Sequence, residues 1–182
     1  MQYAQTPQRI AVIGAGIAGA ACAASLQGAG EQVSLFDKSR GAGGRMATRR
    51  ATWADDEGQP QSTEFDHGAP WFGARHPRFR AALARAEHAG VVQSWQPLVH
   101  AAWPAPRKRA AFVATPGMPA LCRHLAGELP LHTGHAVQRL QRNSAGWQLV
   151  LEGGAIAGPF DQVMLALPPA QAAVLLAGHQ DA

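Results

Sequence analysis

One short motif limits the fold of this chain more than any other feature: Gly14-x-Gly16-x-x-Gly19. An apolar run, Arg9–Ile13, precedes it, and a small-residue run, Ala18–Ala29, follows and is closed by Gly30. A second apolar run, Gln32–Phe36, then ends in Asp37. The order predicts strand, glycine turn, helix, strand, which is a βαβ unit in a parallel sheet. Each glycine has a physical task. Gly14 permits a tight turn, Gly16 lets bare backbone approach a pyrophosphate, and Gly19 lets the helix lie close to the strand. The N–H groups and dipole of the helix N-terminus then face the phosphates. Asp37 lies 18 residues past Gly19, where a carboxylate takes ribose hydroxyls. Its charge would repel a 2′-phosphate, which argues against NADP in this site. The motif alone does not separate NAD from FAD.

The next segment narrows the choice. Asp37-Lys38-Ser39-Arg40-Gly41-Ala42-Gly43-Gly44-Arg45-Met46 supplies a second glycine turn. Arg45 stands where a charge-assisted bond to the same pyrophosphate is expected. Residues 54–62 are polar and read as an exposed loop. Glu64–Asp66 and Ala69–Phe72 read as short extended pieces around Gly68. Pro77–Ala89 has helical period, with Pro at its start and Gly90 after it. Val91–Val99 and Ala110–Val113 read as extended, and a helix is expected from about Pro119 to Gly127. Leu131–His132, Ala136–Gln141, Trp147–Leu151 and Gln162–Leu167 read as strands, with a hairpin turn over Asn143–Gly146. A last helix is expected over Ala170–Leu176, after Pro168-Pro169.

The blocks "GAGIAGAACAASL", "LFDKSRGAGGRMATRR", "FDHGAPWF", "TPGMPALCRHLAGELP" and "FDQVMLALPPAQAAVLL" resemble the flavin amine oxidase superfamily. More narrowly they resemble the renalase-like FAD-dependent oxidoreductases. The long first block is specific, and the later ones are individually weak. The resemblance implies an α/β fold: a Rossmann-like FAD-binding domain of the two-dinucleotide-binding type, with a β-meander and a partial substrate domain. It divides the chain into a first FAD-binding part (1–72), a substrate-domain part (73–113) and a second FAD-binding part (114–182). It places Gly14, Gly16, Ala18 and Gly19 at the pyrophosphate and Asp37 at the adenosine ribose. Lys38, Gly44, Arg45 and Met46 would line the second loop, and the main chain of Val137 would meet the adenine. Near the isoalloxazine, Gly68-Ala69-Pro70-Trp71 replaces the family's Gly-Ala-Gln-Tyr. Pro70 offers neither a side-chain amide nor an N–H there.

The activity implied is oxidation of dihydro-NAD(P) isomers, with hydride passing to flavin and then to oxygen. No catalytic side chain is named, because the substrate already carries a transferable hydride. The alternatives are amine oxidation, as in the wider superfamily, and a non-catalytic FAD-binding module. Family members are longer, so the expectation is that a partner or a missing C-terminal half completes the site.

Other features have simpler readings. The formal charge of +4 comes with no nucleic-acid recognition motif, which leaves a phosphorylated small molecule as the partner such charge would attract. Arg107-Lys108-Arg109 follows a Pro-rich stretch and reads as solvated surface. The uncharged run Ile10–Leu26 is too rich in Gly and Ala for a membrane span. Two distant cysteines, Cys22 and Cys122, give no disulfide framework and fit the reducing cytoplasm as small buried thiols. His132 and His135 lack further ligand partners, so no metal is expected. Asp66-His67 reads as ordering the flavin-side turn. The five tryptophans read mainly as packing residues, with Trp71 also a cofactor contact.

Overall fold

The computed structural model describes residues 6–96 and 110–179. The basic run Arg107–Arg109, Trp103 and the end of the expected strand at 97–99 lie outside the described residues. In chain order the elements begin β1 (Arg9–Ile13), α1 (Ile17–Gly28), β2 (Gln32–Asp37), β3 (Thr48–Ala54) and β4 (Pro60–Asp66). They continue α2 (Pro77–His88), β5 (Val92–Trp95), β6 (Ala111–Ala114), α3 (Pro119–Ala126) and β7 (Leu131–Thr133). The last are β8 (Val137–Asn143), β9 (Gly146–Leu151), β10 (Ile156–Phe160), β11 (Gln162–Leu165) and α4 (Pro169–Leu176). A 3-10 turn covers Gly44–Met46. The chain forms two compact units, one of residues 1–44 and 125–182, the other of residues 45–124.

The first unit is built on a parallel sheet in the order β11-β1-β2-β7. β1 lies between β2 and β11, with Ile13 opposite Phe36 on one side and Leu165 on the other. Being central, β1 is apolar on both faces and buried from Ile10 to Ile13. Alternation sends Ala11 and Ile13 to one face and Ile10 and Val12 to the other. Gly19, Ala20 and Ala23 are the buried residues of α1, and their small size lets the helix axis approach the sheet. The meander β8-β9-β10 supplies Leu140, Leu149, Leu151 and Phe160, which cluster with Ala11, Ile13, Phe36 and Leu175 of α4. Phe160 meets Phe36 edge to face at 5.9 Å between ring centres. At the start of the unit, Arg9 pairs with Asp161 at 2.7 Å.

The second unit contains two antiparallel pairs, β3-β4 and β5-β6. β3 and β4 run in continuous register from Thr48–Asp66 to Ala54–Pro60. The polar stretch 54–62 is therefore not one long loop, as its composition suggested. Only 55–59 is turn. The Asp55 carboxylate accepts N–H bonds from Gln59 at 2.8 Å and Glu57 at 3.1 Å and closes it. Both faces of this hairpin are largely exposed, so its strands lack the apolar alternation that marks a half-buried strand. α2 starts at Pro77, after His76, whose Nδ1 accepts the Arg78 N–H at 3.3 Å. In this unit Trp53, Trp71 and Trp95 are all exposed to some degree, at 49%, 48% and 37%. None of these three is a core residue: Trp53 and Trp95 lie on strands of the two pairs, and Trp71 lies outside them. Among the described residues, no helix is long and apolar enough to cross a membrane.

Candidate nucleotide-binding site

The turn between β1 and α1 is shaped by the protein itself at two of its three glycines. Gly14 has φ +108°, and a β-carbon there would sit 2.5 Å from the Ala166 carbonyl oxygen. At Gly19 a β-carbon would fall 1.7 Å from the Gly14 carbonyl oxygen. Both contacts are with main chain, which cannot step aside cheaply. Gly16 differs. It caps α1 in an extended conformation, and the nearest atoms to a β-carbon there are Gly44 Cα at 3.8 Å and the Gly43 oxygen at 3.9 Å. That is ordinary contact distance, so the surrounding protein does not require glycine at 16. α1 also has no side-chain cap and no acidic residue in its first turn. Its N-terminal dipole end is left for another acceptor. Ala18, in that turn, is exposed.

Asp37 closes the site from the tip of β2. Its Oδ2 accepts the Ala15 N–H at 2.6 Å and its Oδ1 accepts the Ser39 N–H at 2.8 Å. The side chain is buried, with 9% of the residue exposed. The carboxylate that sequence spacing assigns to a ribose thus first ties the two glycine loops together. A carboxylate offers about four lone-pair sites, so two remain for hydroxyl donors. The second loop lies against the first: Gly43 N–H donates to Ala15 O at 2.9 Å, and Gly16 and Gly43 form a short parallel bridge. Gly44 has φ +55°, and a β-carbon there would come within 3.2 Å of Gly16 Cα.

The loop after β7 joins the same edge. His135 N–H donates to Asp37 O at 3.0 Å, and Gly134 N–H to Ser39 O at 2.8 Å. His132 stacks on Phe36 at 4.6 Å between ring centres. Val137 follows at the start of β8, half-buried against the core cluster. Lys38 is exposed, and its Nζ donates to Gln171 Oε1 at 3.4 Å in the first turn of α4. Of the residues singled out from sequence, Gly14, Gly16, Ala18, Gly19, Asp37, Lys38, Gly44 and Val137 belong to the first unit. Sequence reading missed Ala15, Ser39 and Gly43, which act through main-chain groups and carry no side-chain signal.

Arg45, Met46, Pro70 and Trp71 belong to the second unit. Met46 is buried, while Arg45, Pro70 and Trp71 are exposed. Trp71 precedes Phe72, whose N–H and C=O both pair with Phe112 at 3.0 and 2.9 Å. Asp66 Oδ1 accepts from Thr48 Oγ1 and from the Met118 N–H, at 3.1 Å for the latter. It therefore joins the base of the β3-β4 hairpin to the loop before α3.

Residues 12–86 match the family model of the NAD(P)-binding Rossmann-like domain. The chain carries a Rossmann-like α/β fold. Its sequence is similar to YobN of Bacillus subtilis, named for L-amino-acid oxidase, at 43% identity over 56 residues, 31% of this chain and 12% of that protein. It is 46% identical to the L-amino-acid oxidase of Pseudechis australis over 50 residues, 28% of this chain and 10% of that protein. A third relative is the bifunctional tRNA 5-methylaminomethyl-2-thiouridine biosynthesis protein of Magnetococcus marinus. It is 28% identical over 202 aligned positions, covering 91% of this chain and 30% of that protein. The chain thus spans a third or less of the length of these relatives. Among solved structures, a putrescine oxidase aligns with TM-score 0.60 at 12% identity, over 93% of this chain and 60% of that one. A tetracycline destructase aligns with TM-score 0.52 at 15% identity, over 88% of this chain and 39% of that one. At these identities the likeness is one of fold.

Proposed function

We propose that the Rossmann-like domain holds the ADP portion of FAD and that the chain is the FAD-binding part of a flavin-dependent oxidoreductase of the renalase-like group. The observation that carries this is the contrast among the glycines. Gly14 and Gly19 answer to the protein's own main chain, whereas Gly16 leaves a bare surface at an uncapped helix N-terminus. A pyrophosphate fits such a surface, because it accepts N–H bonds and must come closer than a side chain allows.

In this reading Gly14, Gly16, Ala18 and Gly19 supply the pyrophosphate cradle. Asp37 holds Ala15 and Ser39 in place and offers its remaining lone pairs to the adenosine ribose. The main chain of Val137 meets the adenine, and Lys38, Gly44, Arg45 and Met46 line the second loop. Pro70 and Trp71 are the residues that the sequence resemblance assigns to the isoalloxazine. Flavin, when bound, supplies the two-electron acceptor that protein side chains lack. The substrate proposed is a reduced nicotinamide nucleotide, as the sequence blocks imply. A second reading, amine oxidation, is favoured by the L-amino-acid oxidase names of two relatives and by the putrescine oxidase fold. The reducing cytoplasm is the compartment proposed, from the sequence reading of two cysteines too far apart to suggest a disulfide framework.

The test is FAD titration of the purified chain, followed by absorbance and fluorescence. Wild type should bind and show a perturbed flavin spectrum. Gly16→Ala should unfold like wild type and bind FAD at least about tenfold more weakly. Equal binding by Gly16→Ala would remove the basis of the proposal. Anaerobic bleaching of the flavin by dihydronicotinamide isomers, set against amines, then separates the two substrate readings.

A further inference from the structure

We infer that one face of the β3-β4 hairpin pairs with the same face of a second copy of this chain. The continuous register puts Arg49 opposite Phe65, Ala51 opposite Thr63 and Trp53 opposite Gln61. Side chains alternate along each strand, so these three pairs share one face. On it Trp53 is 49% exposed and Phe65 56%. Arg49 is exposed too, and among the described residues it makes no ion pair.

The opposite face is built differently. There Arg50 pairs with Glu64 at 2.7 Å. Thr48 Oγ1 donates to Asp66, which also accepts the Met118 N–H at 3.1 Å, so the base of that face is anchored within its own unit. One side of the hairpin therefore holds paired polar groups, and the other holds two half-exposed rings and an unpaired cation. A single exposed apolar side chain is ordinary, but two large rings on one face of one short hairpin make a patch, and such patches mark contact surfaces.

The partner follows from the layout of the face itself. The small pair Ala51–Thr63 is in the middle, with Trp53 and Gln61 at one end and Arg49 and Phe65 at the other. A two-fold axis in the plane of contact, running across the middle pair, sets Trp53 of each copy over Arg49 of the other, and Phe65 over Gln61. The only charge on the face then meets an indole and not its own copy, and an indole is the best ring for a guanidinium. Such self-complementarity is what a closed two-fold contact needs. At about 3.3 Å per residue the face is about 20 Å long and about 10 Å wide. That is well below the ~800 Å² that each partner gives a standard interface, so the pairing is weak, with a Kd on the order of 10–100 μM.

The experiment is sedimentation velocity of the full chain from about 5 to about 500 μM, a range that brackets such a Kd. Wild type should pass from monomer to dimer. Trp53→Ser and Arg49→Glu should each raise the dimer Kd by about fivefold or more, since each removes a ring–cation contact made twice. Trp95→Ser, at an exposed indole on β5 outside the hairpin, should leave the Kd unchanged.

Wild type that stays monomeric throughout would overturn the inference and leave the face to a different polypeptide. A dimer that Trp53→Ser leaves intact, or that Val174→Ser on the exposed side of α4 abolishes instead, would overturn it as well. A measurement on wild type covers the case in which the hairpin variants do not fold: hydroxyl-radical footprinting at both ends of the concentration range. Trp53 and Phe65 should be protected at the high end and Trp95 should not, and equal oxidation of Trp53 at both ends would rule the contact out.

Discussion

Replacing Asp37 by Asn should destabilise the first unit even without any ligand, and the size can be worked from two bonds. The carboxylate accepts Ala15 N–H at 2.6 Å and Ser39 N–H at 2.8 Å, one on each oxygen. Asparagine keeps one acceptor oxygen and puts an NH2 group in place of the other. Whichever way it turns, one main-chain N–H then faces a donor. Ala15 is fully buried and Asp37 is 9% exposed, whereas Ser39 is exposed, so asparagine keeps its oxygen on Ala15 and turns its NH2 toward Ser39, whose N–H water can reach. The loss is then mainly that of the bond to a charged acceptor, worth about 1.5–3 kcal/mol. Asp37→Asn should lose about 1–3 kcal/mol. Urea unfolding followed by far-ultraviolet circular dichroism measures this directly. Asp37→Ala, which removes both acceptors, should lose at least as much. A change under about 0.5 kcal/mol in Asp37→Asn, within the range of an ordinary surface substitution, would refute the idea that Asp37 ties the loops.

Three further outcomes are expected. Gly19→Ala should cost more than about 2 kcal/mol, because its β-carbon would meet the Gly14 carbonyl at 1.7 Å; calorimetry that shows no drop relative to Gly16→Ala would contradict the packing described. Bonds from the Arg9 side chain and from its N–H hold the Asp161 carboxyl down to about 2. The stability Asp161 contributes is therefore full above the ordinary carboxylate range and lost as pH falls from about 4 through 2; in acid melts, wild type and Asp161→Asn should converge across that window. Burial raises the Cys122 thiol to about 11, so at pH 8 it stays protonated. Iodoacetamide should label half-buried Cys22 well before Cys122, and equal labelling rates would show that α3 opens readily.

The βαβ start was legible because its chemistry resides in glycines and in one acid at fixed spacing. Arg9–Ile13 and the strand ending at Asp37 form β1 and β2, and the small-residue helix between them is α1. The meander was partly legible: the Asn143–Gly146 turn declares β8 and β9, whereas β10 contains Gly158-Pro159 and gives no strand signal. The hairpin β3-β4 was hidden because a strand pair with both faces in water needs no hydrophobic alternation. At the site, Asp37 was singled out by its position at the tip of β2, but its bonds to Ala15 and Ser39 were not legible. Those partners are peptide N–H groups, which every residue type carries, so nothing in the letters marks them.

The sheet of the first unit is drawn from two stretches of chain, with residues 45–124 inserted between β2 and β7. Closing so long an excursion is entropically mild, since each doubling of loop length adds only about 0.6 kcal/mol. The excursion can therefore grow, shrink or be exchanged with little penalty to the strands on either side of it. Such a layout lets evolution rewrite the inserted unit and leave the parallel sheet that frames it intact.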